Sequence, residues 1–292
     1  MKVFLLDGTY ELFRYHFALP SHVTVDGAEV AATRGVLGTV LTMFGDGVTH
    51  LGVATDHVIE SFRNGMWPGY KTSAGMPPEL LGQFGLLEVS LQAMGVHVWP
   101  MVELEADDAL ASAAAVAIDA PDVDQVVVCT PDKDLGQVVC DGRVVQLDRR
   151  KNAVIDEEGV RAKFGVSPES IPDYLALVGD TADGFPGLPG WGAKSAAAVL
   201  AHYVHLEAIP DTAAEWKVSV RNSPALAARL KAQREDAYLF RDLATLRVDR
   251  SLLTDVDMLR WSGPTETFDE VTRRLEAPQL SGRARALARS RR

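Results

Sequence analysis

Carboxylates recur in this chain at the ends of short apolar runs. Lys2–Asp7 and His50–Asp56 each close on an aspartate, and the run at 125–130 leads into Pro131-Asp132-Lys133-Asp134. Glu105-Ala106-Asp107-Asp108 opens a helical pattern at 106–119, and Asp180 and Asp183 stand three apart in a Gly-bounded stretch. If the runs are parallel strands, their carboxyl ends lie on one side of a sheet, where open α/β sheets place their ligands. Each group also has a plainer reading: capping at 105–108, a surface turn at 131–134, a loop at 180–183. Convergence favours chemistry, because gathered carboxylates repel one another unless cations neutralise them. Oxygen donors with no Cys or His among them suit Mg²⁺ or Mn²⁺. Two such ions, about 4 Å apart, serve in-line attack on a phosphodiester.

A phosphatase that forms an aspartyl-phosphate is the rival for Leu6-Asp7-Gly8-Thr9, but it wants a second aspartate where Thr9 stands. On the helical side, Gly187-Leu188-Pro189-Gly190-Trp191-Gly192-Ala193-Lys194-Ser195 has the spacing of a helix–hairpin–helix. Its glycines permit a tight turn whose backbone N–H groups meet phosphate oxygens without reading sequence. A P-loop is excluded because Lys194 follows Ala193, and a dinucleotide fingerprint because no strand precedes the glycines. A plain helix–turn–helix corner remains the alternative at this point.

The elements that must position these groups follow from periodicity. Strand-like runs at 2–7, 50–56, 96–99, 125–130 and 143–147 alternate with helical patterns at 31–45, 79–94 and 106–119. That alternation predicts an α/β fold with a mostly parallel central sheet flanked by helices. Strand signals end after about residue 155, and helical patterns follow. The expected organisation is an α/β core over 1–178 with a long loop or arch at 64–94, a helical region over 179–280, and a disordered basic tail over 281–292. The chain has 292 residues and a net charge of −11, yet its last twelve residues carry five arginines and no acid. So acidic a body repels nucleic acid unless its carboxylates are gathered to hold cations. Cys129 and Cys140 form no CxxC pair, no apolar run reaches a membrane span, and Val3-Phe4-Leu5-Leu6 is too short for a signal peptide. A protein of the reducing cytoplasm is expected.

These motifs, in this order, resemble the 5′ nuclease family: flap endonucleases and the 5′→3′ exonuclease domain of bacterial DNA polymerase I. The resemblance runs from Val3 to about Tyr203, through Leu6-Asp7-Gly8…Arg14, Asp56…Ser61-Phe62-Arg63…Tyr70-Lys71, Glu105-Ala106-Asp107-Asp108, Asp132-Lys133-Asp134-Leu135 and Gly179-Asp180…Asp183…Gly187…Gly190-Trp191-Gly192-Ala193-Lys194. It implies a PIN-like nuclease core with a helix–hairpin–helix (H3TH) region and two metal sites filled by Mg²⁺ or Mn²⁺. Asp7, Asp56, Glu105 and Asp107 match one ligand group; Asp108, Asp132, Asp134, Asp180 and Asp183 match the other. Lys71 matches a basic residue at the scissile phosphate and Arg63 a neighbouring arch residue. Arg14, Gly187, Gly190, Gly192, Lys194 and Ser195 match DNA-contacting positions, and the hairpin of the family also holds K⁺ through backbone carbonyls. The implied activity is two-metal 5′→3′ exonuclease and flap endonuclease action on DNA ends, nicks and flaps, with RNA/DNA hybrid a further substrate, in replication and repair. No membrane and no obligate protein partner are implied. With no polymerase region following, a free-standing form is expected.

The sequence departs from the family at three places. No basic residue follows Lys71 through Met76, Gly184 stands where Asn is usual, and Lys71 is the only cation of 64–94. A branched-DNA binder that does not cut and an acidic-site ribonuclease are the alternatives; the complete acidic set argues against the first and the hairpin against the second. His202 and His205 read as surface histidines, Cys129 and Trp191 as packing, and Trp67 as a residue able to stack on an unpaired base.

Overall fold

A computed structural model describes residues 1–291. In chain order its strands are β1 (Lys2–Asp7), β2 (His50–Asp56), β3 (His97–Met101), β4 (Gln125–Cys129), β5 (Val144–Asp148) and β6 (Ala153–Ile155). Its helices are α1 (Gly8–Ala18), α2 (Ala31–Gly45), α3 (Arg63–Met66), α4 (Pro78–Ala93), α5 (Ala106–Ala117) and α6 (Glu157–Phe164), followed by α7 (Ile171–Val178), α8 (Ala193–Tyr203), α9 (Ser223–Ala232), α10 (Arg234–Ala244), α11 (Phe268–Arg274) and α12 (Pro278–Ser290). They form two compact units, one from 1–59, 73–130 and 248–292, the other from 60–72 and 131–247. The chain thus enters and leaves each unit more than once, unlike the linear division into 1–178, 179–280 and 281–292. None of the helices is long and apolar enough to cross a membrane among the described residues.

In the first unit the strands run parallel in the order β3-β2-β1-β4. β2 is buried along its whole length, as expected for a strand covered on both faces. Asp7 pairs with Ala54, so Asp56, two residues on, falls on the same face at the same end of the sheet. Gly8 lets α1 start directly at the strand end: a Cβ there would lie 2.8 Å from the Ala54 carbonyl oxygen. Of the segment expected as an arch at 64–94, the first half is the rest of α3 and a loop, and the second half is the helix that its pattern predicts. From Pro78 it is α4, a core helix that buries Leu80, Phe84, Leu87 and Leu91.

The basic end of the chain is also ordered, contrary to the disordered tail expected from its composition. α12 buries Leu280, Ser281 and Ala284. Arg285 pairs with Asp269 at 2.8 Å, and Arg291 lies over the stacked rings of Phe44 and Trp261 while donating to the carbonyl of Val48 at 2.7 Å. Tertiary partners 16 to 247 residues away fix it, which a local charge count does not register. Arg292, the last residue of that expected tail, lies outside the described residues.

The second unit holds an antiparallel β5–β6 pair and a helical core. α7 packs against α8 and α10, and Leu175, Leu177, Leu200 and Phe240 of these helices share one buried core with Phe185.

Candidate metal centre

In the first unit the acidic strand ends are buried and held by fixed donors. Asp7 is 5% exposed. One carboxylate oxygen accepts the Tyr10 N–H at 2.8 Å and caps α1; the other accepts the Thr130 hydroxyl at 2.9 Å. Asp56 accepts the Ala106 N–H at 2.7 Å, so the end of β2 is tied to the first turn of α5, where Glu105 and Asp107 sit. Glu105 is buried and Asp107 half-buried. Asp108 is wholly buried and accepts the Glu105 N–H at 2.9 Å in a capping box. The plain reading of the 105–108 group therefore holds for Asp108, whereas Asp7 and Asp56 share one face at the end of the sheet and Glu105 stands at the start of the helix tied to Asp56.

In the second unit Asp134, Asp180 and Asp183 each offer a carboxylate oxygen within 4.8 Å of the others. Asp132 joins them through its carboxylate, which accepts the Asp134 N–H at 2.9 Å, and Gln146 fixes the Asp132 carbonyl at 2.6 Å. Asp180 accepts the Ala182 N–H at 3.0 Å, which shapes the turn that presents Asp183. Burial, joined by the charges of Asp132 and Asp183, pushes the Asp134 carboxyl well above the usual carboxylate range; the Lys133 cation opposes this. One Asp134 oxygen, Oδ1, is buried with no hydrogen-bond partner. An orphaned oxygen inside an all-oxygen triad fits a hard divalent cation.

Two lysines reach this group. Lys71 Nζ lies 3.1 Å from Asp183 and Lys133 Nζ 2.5 Å from Asp180. Burial opposes the charge on Lys133, but Asp134, Asp180 and Asp132 outweigh it and raise its pKa. The backbone delivers Lys71 here: its N–H donates to the Asp183 carbonyl at 3.0 Å, and Trp67 donates to the Gly184 carbonyl at 3.0 Å. Gly184 has φ +83°, and a Cβ there would lie 2.0 Å from the Gly69 carbonyl oxygen. This close approach leaves no room for a side chain at position 184. Trp67 also packs edge-on against Phe240, so it serves the core rather than an unpaired base.

Arg63 occupies a different place from the arch role its motif implies. It is 2% exposed and donates to the carbonyls of Leu243 at 2.8 Å and Thr245 at 3.1 Å, closing the end of α10. Arg14 pairs with Glu11 and lies over the Tyr15 ring. In the hairpin, Gly187 (φ +68°) crosses Gly179 so closely that a Cβ would meet its nitrogen at 2.3 Å. Gly190, Gly192 and Lys194 are exposed instead, and Ser195 accepts the Gly192 N–H at 3.0 Å in a capping arrangement at the start of α8. They line an open groove of about 670 Å³ with Arg221 and Asn222. Trp191 is buried beside Trp216, as expected for packing. His202 and His205 are exposed, and His205 contacts the buried Asp173 at 2.9 Å. Lys133 was visible in the sequence between two candidate ligands but carried no assigned role; its flanking acids were the available signal. The partners of Asp7 and Asp56, Thr130 and the Ala106 N–H, carried no such signal.

Parallel strands that end in buried carboxylates, a carboxylate triad and a hairpin-bearing helical unit define an acidic-site α/β protein. The chain belongs to the 5′-3′ exonuclease family. Residues 2–165 match its N-terminal resolvase-like domain and residues 166–267 its C-terminal SAM fold. It is 34% identical over 269 residues to DNA polymerase I of Pseudomonas aeruginosa, covering 87% of this chain and 28% of that protein. Against DNA polymerase I of Bacillus subtilis the identity is 31%, over 90% of this chain and 30% of that protein. The chain therefore spans less than a third of the length of these relatives. The fold is similar to that of the T5 D15 protein co-crystallised with metal ions, with TM-score 0.67, 14% identity, and coverage of 96% of this chain and 100% of that one. It is also similar to the catalytic core of Rad2 in complex with DNA substrate, with TM-score 0.64, 14% identity, and coverage of 98% and 91%.

Proposed function

We propose that this chain is a divalent-metal-dependent 5′ nuclease that hydrolyses DNA phosphodiesters at 5′ ends, nicks and flaps during replication and repair. The observation that carries this reading is the Asp134–Asp180–Asp183 triad with an orphaned oxygen and with Lys71 seated on Asp183. Asp7, Asp56, Glu105 and Asp107 would form one ligand group and Asp132, Asp134, Asp180 and Asp183 the other, with Asp108 holding the end of α5. Mg²⁺ or Mn²⁺ on such carboxylates supplies an activated water and stabilises the leaving oxygen. Thr130 and the Ala106 N–H hold Asp7 and Asp56 in position, which lowers the cost of organising the ligands. Lys71, a half-buried ammonium, would leave Asp183 for the scissile phosphate and balance the charge that develops there. The exposed N–H groups around Gly190 and Gly192, with Lys194, would hold duplex phosphates without reading bases. Backbone carbonyls of the same turn would hold K⁺.

End-labelled flap, nicked, blunt and RNA/DNA hybrid substrates, incubated with Mg²⁺ or Mn²⁺, test this reading at nucleotide resolution. Cleavage near the 5′ end or flap junction, dependent on the added ion, is expected. Binding without cleavage under every ion condition would overturn the enzymatic reading.

A further inference from the structure

The second ligand group carries its own counter-ions. Four carboxylates, Asp132, Asp134, Asp180 and Asp183, face two ammonium groups, Lys71 and Lys133. The two lysines are differently placed. Lys71 stands on a loop, against an Asp183 that keeps 13% of its side-chain exposure. Lys133 stands between two of the acids themselves, and its partner Asp180 is only 2% exposed. Its backbone carbonyl accepts the Gly136 N–H at 3.0 Å, which ties it to the turn that follows. A cation entering the triad needs an Asp180 oxygen, and the ammonium on Asp180 repels it.

We propose that Lys133 is an internal counter-cation that occupies Asp180 in the metal-free protein and lowers the affinity of the Asp134–Asp180–Asp183 group for a divalent ion, so that ion binding requires Lys133 to withdraw. This rests on the reading of that triad as a metal site. Lys133 acts through Asp180 and is a positioning residue. It stabilises the triad without metal and weakens it toward metal, two effects of opposite sign. An ordinary structural lysine would produce only the first.

The test is Mn²⁺ binding to the full chain, followed by the electron paramagnetic resonance signal of the free ion, with thermal melts in EDTA alongside. Lys133→Met and Lys133→Gln should bind Mn²⁺ about tenfold tighter at the parental stoichiometry, since the pair is intermediate between exposed and buried ion pairs. Both should melt lower than the parent in EDTA. Lys133→Arg, which keeps the charge, should bind like the parent. In an Asp180→Asn background the Lys133→Met gain should disappear. Unchanged or weaker affinity at unchanged stoichiometry would overturn the role of Lys133 and leave the metal site standing. No Mn²⁺ bound by parent or variants would overturn both.

Discussion

Replacing Asp134 by Asn should stabilise the metal-free protein, the opposite of what deleting a buried polar partner usually does. Asp134 is buried, carries an oxygen without a partner, and has Asp180 and Asp183 oxygens within 4.8 Å. At that separation and an effective dielectric of about 20, each like-charge contact costs about 3 kcal/mol. Lys71 and Lys133 cancel most of that sum, leaving about 1–2 kcal/mol of net strain at neutral pH. Asn has the same shape, loses the charge, and can donate to a neighbouring carboxylate. In a chain of this size the gain corresponds to about 2–5 °C in melting temperature. Calorimetric melts of parent and Asp134→Asn, in EDTA and in millimolar Mn²⁺, read this directly. The variant should melt higher in EDTA, and Mn²⁺ should raise the parent far more than the variant. A variant that melts below the parent in EDTA, or one that gains as much from Mn²⁺, would refute the claim that these carboxylates are held together for a cation.

The same carboxyl makes a pH prediction. Its pKa is raised in the folded chain, so its stabilising contribution is present below the ordinary value of 3.8 and is lost as pH rises through the raised one. Metal-free melts between pH 4 and 8 should therefore show Asp134→Asn gaining on the parent as pH rises, with no gain at the acid end; a constant offset contradicts this. Lys71→Ala should keep its fold and its Mn²⁺ stabilisation yet lose about a hundredfold in single-turnover cleavage, about 3 kcal/mol of transition-state stabilisation. A rate within about threefold of the parent would make Lys71 a surface charge. Gly184→Ala should cost about 2–3 kcal/mol by denaturant titration, because its Cβ meets the Gly69 carbonyl at a positive φ; an unchanged midpoint would show that the loop yields freely.

The carboxylates at the ends of β1 and β2 were legible because a short apolar run closing on an acid survives into the structure as a parallel strand. α2, α4 and α5 were legible to within two residues at each end because their apolar spacing is long enough to carry a period. α1 was missed: it begins at Gly8 with no linker, and its start depends on the contact of Gly8 with β2. β6 was missed because three residues carry no alternation. Local composition misjudged α12, whose order comes from Asp269, Phe44 and Trp261. Of the site, residue types were legible and partners were not. Motif position gave Arg63 an arch role, but nothing local reveals that its guanidinium meets carbonyls 180 residues away. Lys133 gave no sign that it would reach Asp180, because that contact exists only after the 180–184 turn folds back.

Single-turnover cleavage of a 5′-flap DNA in Mn²⁺ by the parent and by Asp180→Asn, with DNA affinity measured beside it, distinguishes a metal ligand at position 180 from a structural acid. Losing one ligand weakens an ion needed mainly in the transition state, so the rate should fall by at least about a hundredfold. DNA affinity should be unchanged or tighter, since a negative charge facing phosphate has gone. Cleavage by Asp180→Asn at the parental rate would contradict the assignment of Asp134, Asp180 and Asp183 as the group that holds the catalytic ion.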